Sequence, residues 1–242
     1  MKNRVGEVNF NKYGHKMTIV SYNKYSDIVV EFEDGYQVHT GYHAFKKGQV
    51  KSLYDRTVIG VGFLGGRKYK ITDENNKMTK QYATWREMLK RCYSPKFQKE
   101  NTTYIGCIVT EEWHNFQNFA KWFDENYYEI FGEQVELDKD ILIKGNKVYS
   151  PETCVFVPKY INQIFTKQES TKGYHIEKST NKYRVVGRDV SGKRVSLGLF
   201  KEPSEALFVY KTFKEKTIKE LANQYIDEIP LKLYNAMITY KV

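Results

Sequence analysis

Apolar and polar positions alternate through much of residues 1–70. Lys16–Asn23 (KMTIVSYN) and Asp27–Asp34 (DIVVEFED) are β-branched and aromatic runs split by polar turn residues. Asp34-Gly35 then turns the chain into Tyr36–Phe45. The cluster Gly60-Val61-Gly62-Phe63-Leu64-Gly65-Gly66 has no Lys-Ser/Thr in register and opens no helical pattern. A tight β-turn is expected there, not a phosphate loop. Thr72–Lys80 is polar and reads as a linker.

A helical period follows. Thr84 with Glu87 makes a capping-box pattern over Trp85, Met88 and Leu89. Phe116, Phe119, Ala120 and Phe123 fall at i, i+3, i+4 and i+7, which predicts a helix from Asn115. With the flanking Trp113 and Trp122, these aromatics read as core residues before they read as a base-stacking platform. From Leu137 to Asn162 (LDKDILIKGNKVYSPETCVFVPKYIN) the pattern is strand, loop, strand, helix. A turn is expected at Gly145-Asn146, a break at Ser150-Pro151, and a helix start at Pro158. Thr166–Lys172 reads as a second polar linker.

Short alternating strands are expected over Gly173–Lys178, Lys182–Asp189 and Lys193–Leu199, with a turn at Ser191-Gly192. Pro203 suits a helix N1 position, and the helix to about Tyr225 should bury Leu207, Tyr210, Phe213 or its neighbour, Ile218, Leu221 and Tyr225. Residues 229–242 read as a short C-terminal tail. The fold class is α+β.

Charge narrows the partners. The chain carries a net +10, which favours a polyanion, because each neutralised phosphate releases counterions. DNA is expected ahead of an anionic membrane: no apolar run approaches the roughly 18 residues of a span, and no signal peptide opens the sequence. The expected compartment is the cytoplasm. Cys92, Cys107 and Cys154 are widely spaced and form no C-x-x-C pair, so no zinc site is evident and reduced thiols are expected.

Ordered landmarks carry a resemblance. Trp85-Arg86-Glu87-Met88 with Arg91-Cys92, then Tyr104-Ile105-Gly106-Cys107-Ile108-Val109, Glu112-Trp113 and Leu137–Asn162 are similar to the phage HNH-like (ββα-metal) endonucleases. The strand block KGYHIEKSTNKYRVVGRDVSGKRVSLGLF with its long helix resembles the APETALA/ethylene-response-factor type of DNA-binding domain. Residues 1–71 look like the small SH3-like β module of some phage HNH-like proteins. The resemblance implies modules at 1–71, 82–165 and 172–228, in a viral protein working in the cytoplasm of an infected bacterium.

The same resemblance implies the chemistry. Asp138 takes the metal-ligand place for Mg²⁺ and Asn162 the final place, while the general-base place falls on Lys139, where the nucleases have His. A protonated Lys cannot take a proton from water unless burial lowers its pKa by several units. Asp140, Asn146 and His114 are further candidates, with a surface or N-cap role the ordinary reading of His114. Metal-dependent hydrolysis and an inactive DNA-binding scaffold both stay open. So does an anti-defence protein that engages a host enzyme.

For the C-terminal sheet, seven basic residues stand against two acidic ones between Lys172 and Arg194. Strand alternation puts Tyr183, Val185 and Gly187 on one face and Lys182, Arg184, Val186 and Arg188 on the other. His175, Glu177 and Arg194 should share that second face, and Lys178 and Lys193 complete the expected DNA-contact set.

Overall fold

The structure, a computed structural model, describes residues 3–166 and 173–242. It is mixed α+β with small sheets and several helices. The expected linker at 166–172 lies outside the described residues save for Thr166, which ends a helix. Contacts divide the chain into two compact units, one up to Glu125 and one from Asn126. The stretch 82–165 therefore contributes to both.

The first unit opens with a four-stranded antiparallel meander: Val8–Phe10 (β1), Lys16–Lys24 (β2), Asp27–Phe32 (β3) and Gln37–Thr40 (β4). Period-2 alternation buries Met17 and Ile19 of β2 and Ile28, Val30 and Phe32 of β3. They pack with Tyr42 and Phe45 of the short helix Tyr42–Lys46 (α1). Asp34-Gly35 makes the β3–β4 hairpin, with Gly35 at φ +79°. The run expected as one strand over Tyr36–Phe45 is split, because Gly41 ends β4 and caps α1.

Residues 58–62 form a tight turn, which covers the first half of the glycine cluster. Val58 bridges Gly62, and Phe63 pairs with Asn115. Gly62 is a packing requirement: a Cβ there would stand 2.5 Å from Leu89 Cδ1 and 2.8 Å from the Trp85 ring. The expected linker Thr72–Lys80 closes on itself. Thr72 bridges Met78, and Asp73 Oδ1 accepts from the amides of Asn75 and Lys77.

Helix α2 runs from Lys80 to Tyr93, four residues ahead of the expected start at Thr84. Thr79 is the cap, its Oγ1 accepting from Tyr82 N, while Glu87 pairs with Lys90 and Arg91 further along the helix. After Pro95–Glu100 (α3), a 3₁₀ turn and Ile108–Val109 (β5), a second 3₁₀ turn leads into Phe116–Asn126 (α4). Trp85, Trp113, Phe116 and Phe119 are fully buried, and Trp85 Nε1 donates to Trp113 O at 2.6 Å. These aromatics are core, not stacking surface.

In the second unit Val135–Asp138 (β6) pairs antiparallel with Val155–Pro158 (β8), and Val148–Tyr149 (β7) lies in the loop between them. Pro158 ends β8, and the helix expected from it starts one residue later, Lys159–Thr166 (α5). Tyr174–Glu177 (β9), Lys182–Arg188 (β10) and Arg194–Phe200 (β11) form a three-stranded antiparallel sheet with β10 central. Pro203–Gln224 (α6) covers one face of it.

Two expectations at the C-terminus change. Leu207 is not buried but stands 36% exposed, and Phe213 and Tyr225 are only half-buried; the inward stripe of α6 runs through Ala206, Tyr210, Lys214, Thr217, Ile218 and Leu221. The expected tail is a helix, Leu231–Thr239 (α7), with Leu233 and Met237 fully buried. Val155, Val157 and Ile161 share a single core with Ile218, Leu221, Leu233 and Met237. The strand–loop–strand–helix motif thus rests on the C-terminal helices.

Candidate functional site

Asp138 ends β6 and is 8% exposed. Its Oδ1 accepts from the backbone amides of both Asp140 and Ile141 at 2.8 Å, an Asx turn that starts the loop. Burial, then the Asp140 carboxylate, pushes its carboxyl up to about 6, against the two amide bonds and the Lys139 charge, which pull it down.

Lys139 is 7% exposed. Its Nζ holds Asp140 Oδ2 at 2.8 Å and donates to Asn146 O at 3.0 Å. Asn146 knits the loop shut: its Nδ2 donates to the carbonyls of Lys139 and Val148, and its Oδ1 accepts from Val148 N. Both alternative candidates, Asp140 and Asn146, are thus engaged in holding the loop and Lys139.

Asn162 lies on α5, and its Nδ2 donates to Glu136 Oε2 at 3.1 Å. Glu136 also faces Lys159 Nζ at 4.0 Å. Asp138 and Asn162 are therefore bonded to different partners: Asp138 to backbone amides of its own loop, Asn162 to the carboxylate two residues earlier on β6. Among the described residues no group of three or more His, Cys, Asp or Glu is placed to hold a metal ion.

His114, expected at the surface or as a cap, is buried, and its Nε2 stands 3.2 Å from the Tyr93 hydroxyl. That hydroxyl accepts from Val109 N at 3.0 Å. Burial, with Arg56 beside it, lowers the His114 pKa. The three cysteines are free and buried, and burial raises the Cys154 thiol to about 12.

The basic set behaves differently. Register places Arg184 opposite His175, Lys182 opposite Glu177, and Arg188 opposite Arg194. A bulge at Val185/Val186 shifts β11 by one residue and keeps Arg194 on the face of Arg188. Val185 and Gly187 are buried toward α6, with the Phe213 ring against Gly187, as strand alternation predicts.

Arg184 pairs with Glu177 at 2.6 Å, and Arg188 donates to Gly192 O at 2.8 Å. Lys178, Lys182, Lys193 and Arg194 make no ion pair among the described residues. Asp189 is occupied in the turn, where it accepts from Ser191 and Lys193. The open face of the sheet is thus cationic, with Glu177 its internal counter-charge.

The chain matches no protein-family model, no curated protein and no solved structure. Among the described residues no helix is long and apolar enough to cross a membrane.

One buried cation was not named in the sequence reading. Lys214 is 8% exposed on the inward stripe of α6. Its signal was its spacing, four residues from both Tyr210 and Ile218.

Proposed function

We propose that this chain binds DNA through the open face of the β9–β10–β11 sheet, with the stretch from Val135 to Thr166 as a ββα-type scaffold that does not hydrolyse it. The observation that carries the binding half is the register of Arg188 against Arg194. Like charges directly opposite on a sheet destabilise it, and an anion laid across them offsets that cost. Arg forks also match phosphate and the guanine edge. The Arg184–Glu177 pair is partly open to solvent, where an ion pair is weak enough for a phosphate to replace Glu177.

Lys139 supports the non-hydrolytic half. The resemblance puts the general base at this position. An ammonium that holds Asp140 has three donors and no lone pair for a water proton. A Mg²⁺ site would draw on Asp138 and Asn162 and would polarise a phosphate and its attacking water. However, Asp138 spends Oδ1 on two amides of its own loop, a contact that fits a closed loop better than an open metal site.

A single assay series tests both halves. Full-length protein is titrated onto labelled duplex DNA by fluorescence anisotropy, and onto supercoiled plasmid with Mg²⁺, Mn²⁺ or EDTA. The expected result is binding that weakens at least tenfold in Arg188→Ala/Arg194→Ala, with no nicking by the wild type or by Asp138→Asn. Metal-dependent nicking lost in Asp138→Asn would restore the endonuclease reading. Absent DNA binding would leave the host-protein reading in its place.

A further inference from the structure

One corner of the second unit is the charge opposite of its sheet. It joins the turn Ile130–Glu133 to the connection between α6 and α7. Residues 127–134 and 225–231 hold four acids (Glu129, Glu133, Asp227 and Glu228) and no Lys or Arg, in a chain of net +10. Glu133 Oε1 accepts from the Tyr225 hydroxyl at 2.5 Å, which ties the two segments together. Burial first, then Glu133 and Glu228, raise the pKa of that hydroxyl, so both carboxylates lie near it. Asp227 and Glu228 form no ion pair among the described residues. The flanking cations are engaged, Lys159 with Gln134 and Lys232 with Asn126 and Cys154 O.

Apolar side chains stand out from this acidic ground. Phe131 is fully exposed, and Ile226 and Leu231 are more than half exposed. The turn beneath Phe131 is held firmly. Gly132 at φ +77° and the bond from Glu133 N to Ile130 O set its geometry. On either side Tyr128 donates to Phe156 O, Ile130 packs on the core, and Lys159 N donates to Gln134 O. A preorganised turn with an aromatic ring in water suits docking, because little further order has to be imposed. Carboxylates around it repel DNA and an anionic membrane alike and attract a cationic protein surface. The corner stands at the N-terminal end of α7, whereas α5 runs out beside the far end, where Phe165 meets Tyr240.

The open face of the β9–β10–β11 sheet is a cationic surface of this kind. Arg188 and Arg194 are exposed on it and stand opposite each other. Their guanidinium forks pair with carboxylates and stack on aromatic rings. We propose that the Phe131 corner of one copy docks on the open sheet face of a second copy. The ring lies on the Arg188 and Arg194 guanidinium groups, and Glu133, Asp227 and Glu228 pair with the cations around them. The contact is heterologous: each added copy brings one free corner and one free sheet, so the assembly grows head to tail unless it closes into a ring. It needs the cationic face but no DNA binding, so it does not stand or fall with the proposed function.

Sedimentation velocity on the full chain, without DNA, tests it. The sedimentation coefficient is expected to climb over a roughly hundredfold rise in concentration at about 0.05 M salt, and to return to the monomer value near about 0.5 M. Two variants carry the assignment: Phe131→Ser/Glu228→Lys in the corner and Arg188→Glu/Arg194→Glu on the sheet, each verified as folded by a thermal melt. Alone, each is expected to associate about tenfold or more weakly than the wild type. Mixed in equal amounts, they are expected to form a dimer and nothing larger, because each supplies the half the other lacks. The proposal is overturned if the wild type stays monomeric throughout, if either folded variant associates within twofold of the wild type, or if the mixture stays monomeric. Should the sheet variant not fold, the corner variant decides alone by the same twofold criterion.

Discussion

Asp138 and His114 are both buried and titratable, and burial moves them in opposite directions. The folded Asp138 holds its proton up to about pH 6, well above the ordinary carboxylate range. Its contribution is favourable below about pH 4 and is lost as the pH rises through 6. The shift corresponds to about 3 kcal/mol at neutral pH as an upper bound. Asp138→Asn keeps the Oδ1 that caps Asp140 and Ile141 and removes the charge. It is expected to unfold at equal or higher denaturant than the wild type at pH 8 and to flatten the stability change between pH 4 and 6. Asp138→Ala strands two buried amides and should cost about 2–5 kcal/mol in the same urea titrations. A wild-type-like pH profile in Asp138→Asn would mean that the carboxylate does not titrate in this window.

His114 titrates the other way. Its folded pKa is lowered, so the unfolded chain binds the extra proton first. Its contribution is complete above about pH 6.5 and falls as the pH drops below that value. Tyr93→Phe removes the hydroxyl that meets both Val109 N and His114 Nε2, and should cost about 1–2 kcal/mol at pH 7 by chemical denaturation.

Among the elements, those defined by a strong period were legible and those defined by a partner were not. β2, β3, α4 and the three strands β9–β11 came from alternation and helical spacing, because their buried faces are continuous. The start of α2 was missed because Thr79 and Thr84 offer the same capping chemistry, and only the Thr72–Met78 bridge brings Thr79 to the helix end. α7 was missed because nine residues carry little periodic signal. Leu233 and Met237 show their role only against Ile218 and Leu221 of α6. At the candidate site, Asp138 and Lys139 were legible as positions. Their closure by Asn146 and the Asn162–Glu136 bond depend on loop geometry, which no residue spacing encodes.

Packing at this scale also predicts. Gly62→Ala puts a methyl into Leu89 and the Trp85 ring and should cost about 1–3 kcal/mol. Leu233→Ala empties a fully buried site and should cost about 2–5 kcal/mol, read as a lower melting temperature. A neutral Leu233→Ala would mean that α7 is dispensable to the second unit's core.

Across the whole molecule the charge is unevenly placed. From Asn126 onward the sequence has 19 Lys and Arg against 15 Asp and Glu. The strand block at 173–200 holds six of those cations and only two of the acids, so the remainder of that unit is balanced. The excess in the second unit is therefore the sheet itself. Residues up to Glu125 also carry a surplus, 20 cations against 14 acids, and some of those cations are paired: Lys16 with Glu33, and Lys46 and Arg4 with Glu7. Net charge alone steers weakly once salt screens it, whereas a clustered face keeps a phosphate contact at each cation. If Lys182, Arg184, Arg188 and Arg194 each neutralise one phosphate, log K for duplex binding should fall against log salt with a slope of about −3.6. Arg188→Ala/Arg194→Ala should bring the slope to about −1.8, while Lys12→Ala/Lys24→Ala, with two cations removed from the first unit, should leave it near the wild-type value. The reverse ranking in anisotropy titrations at graded salt would move the DNA contact to the first unit and leave the like-charged Arg188–Arg194 register without an anion to offset it.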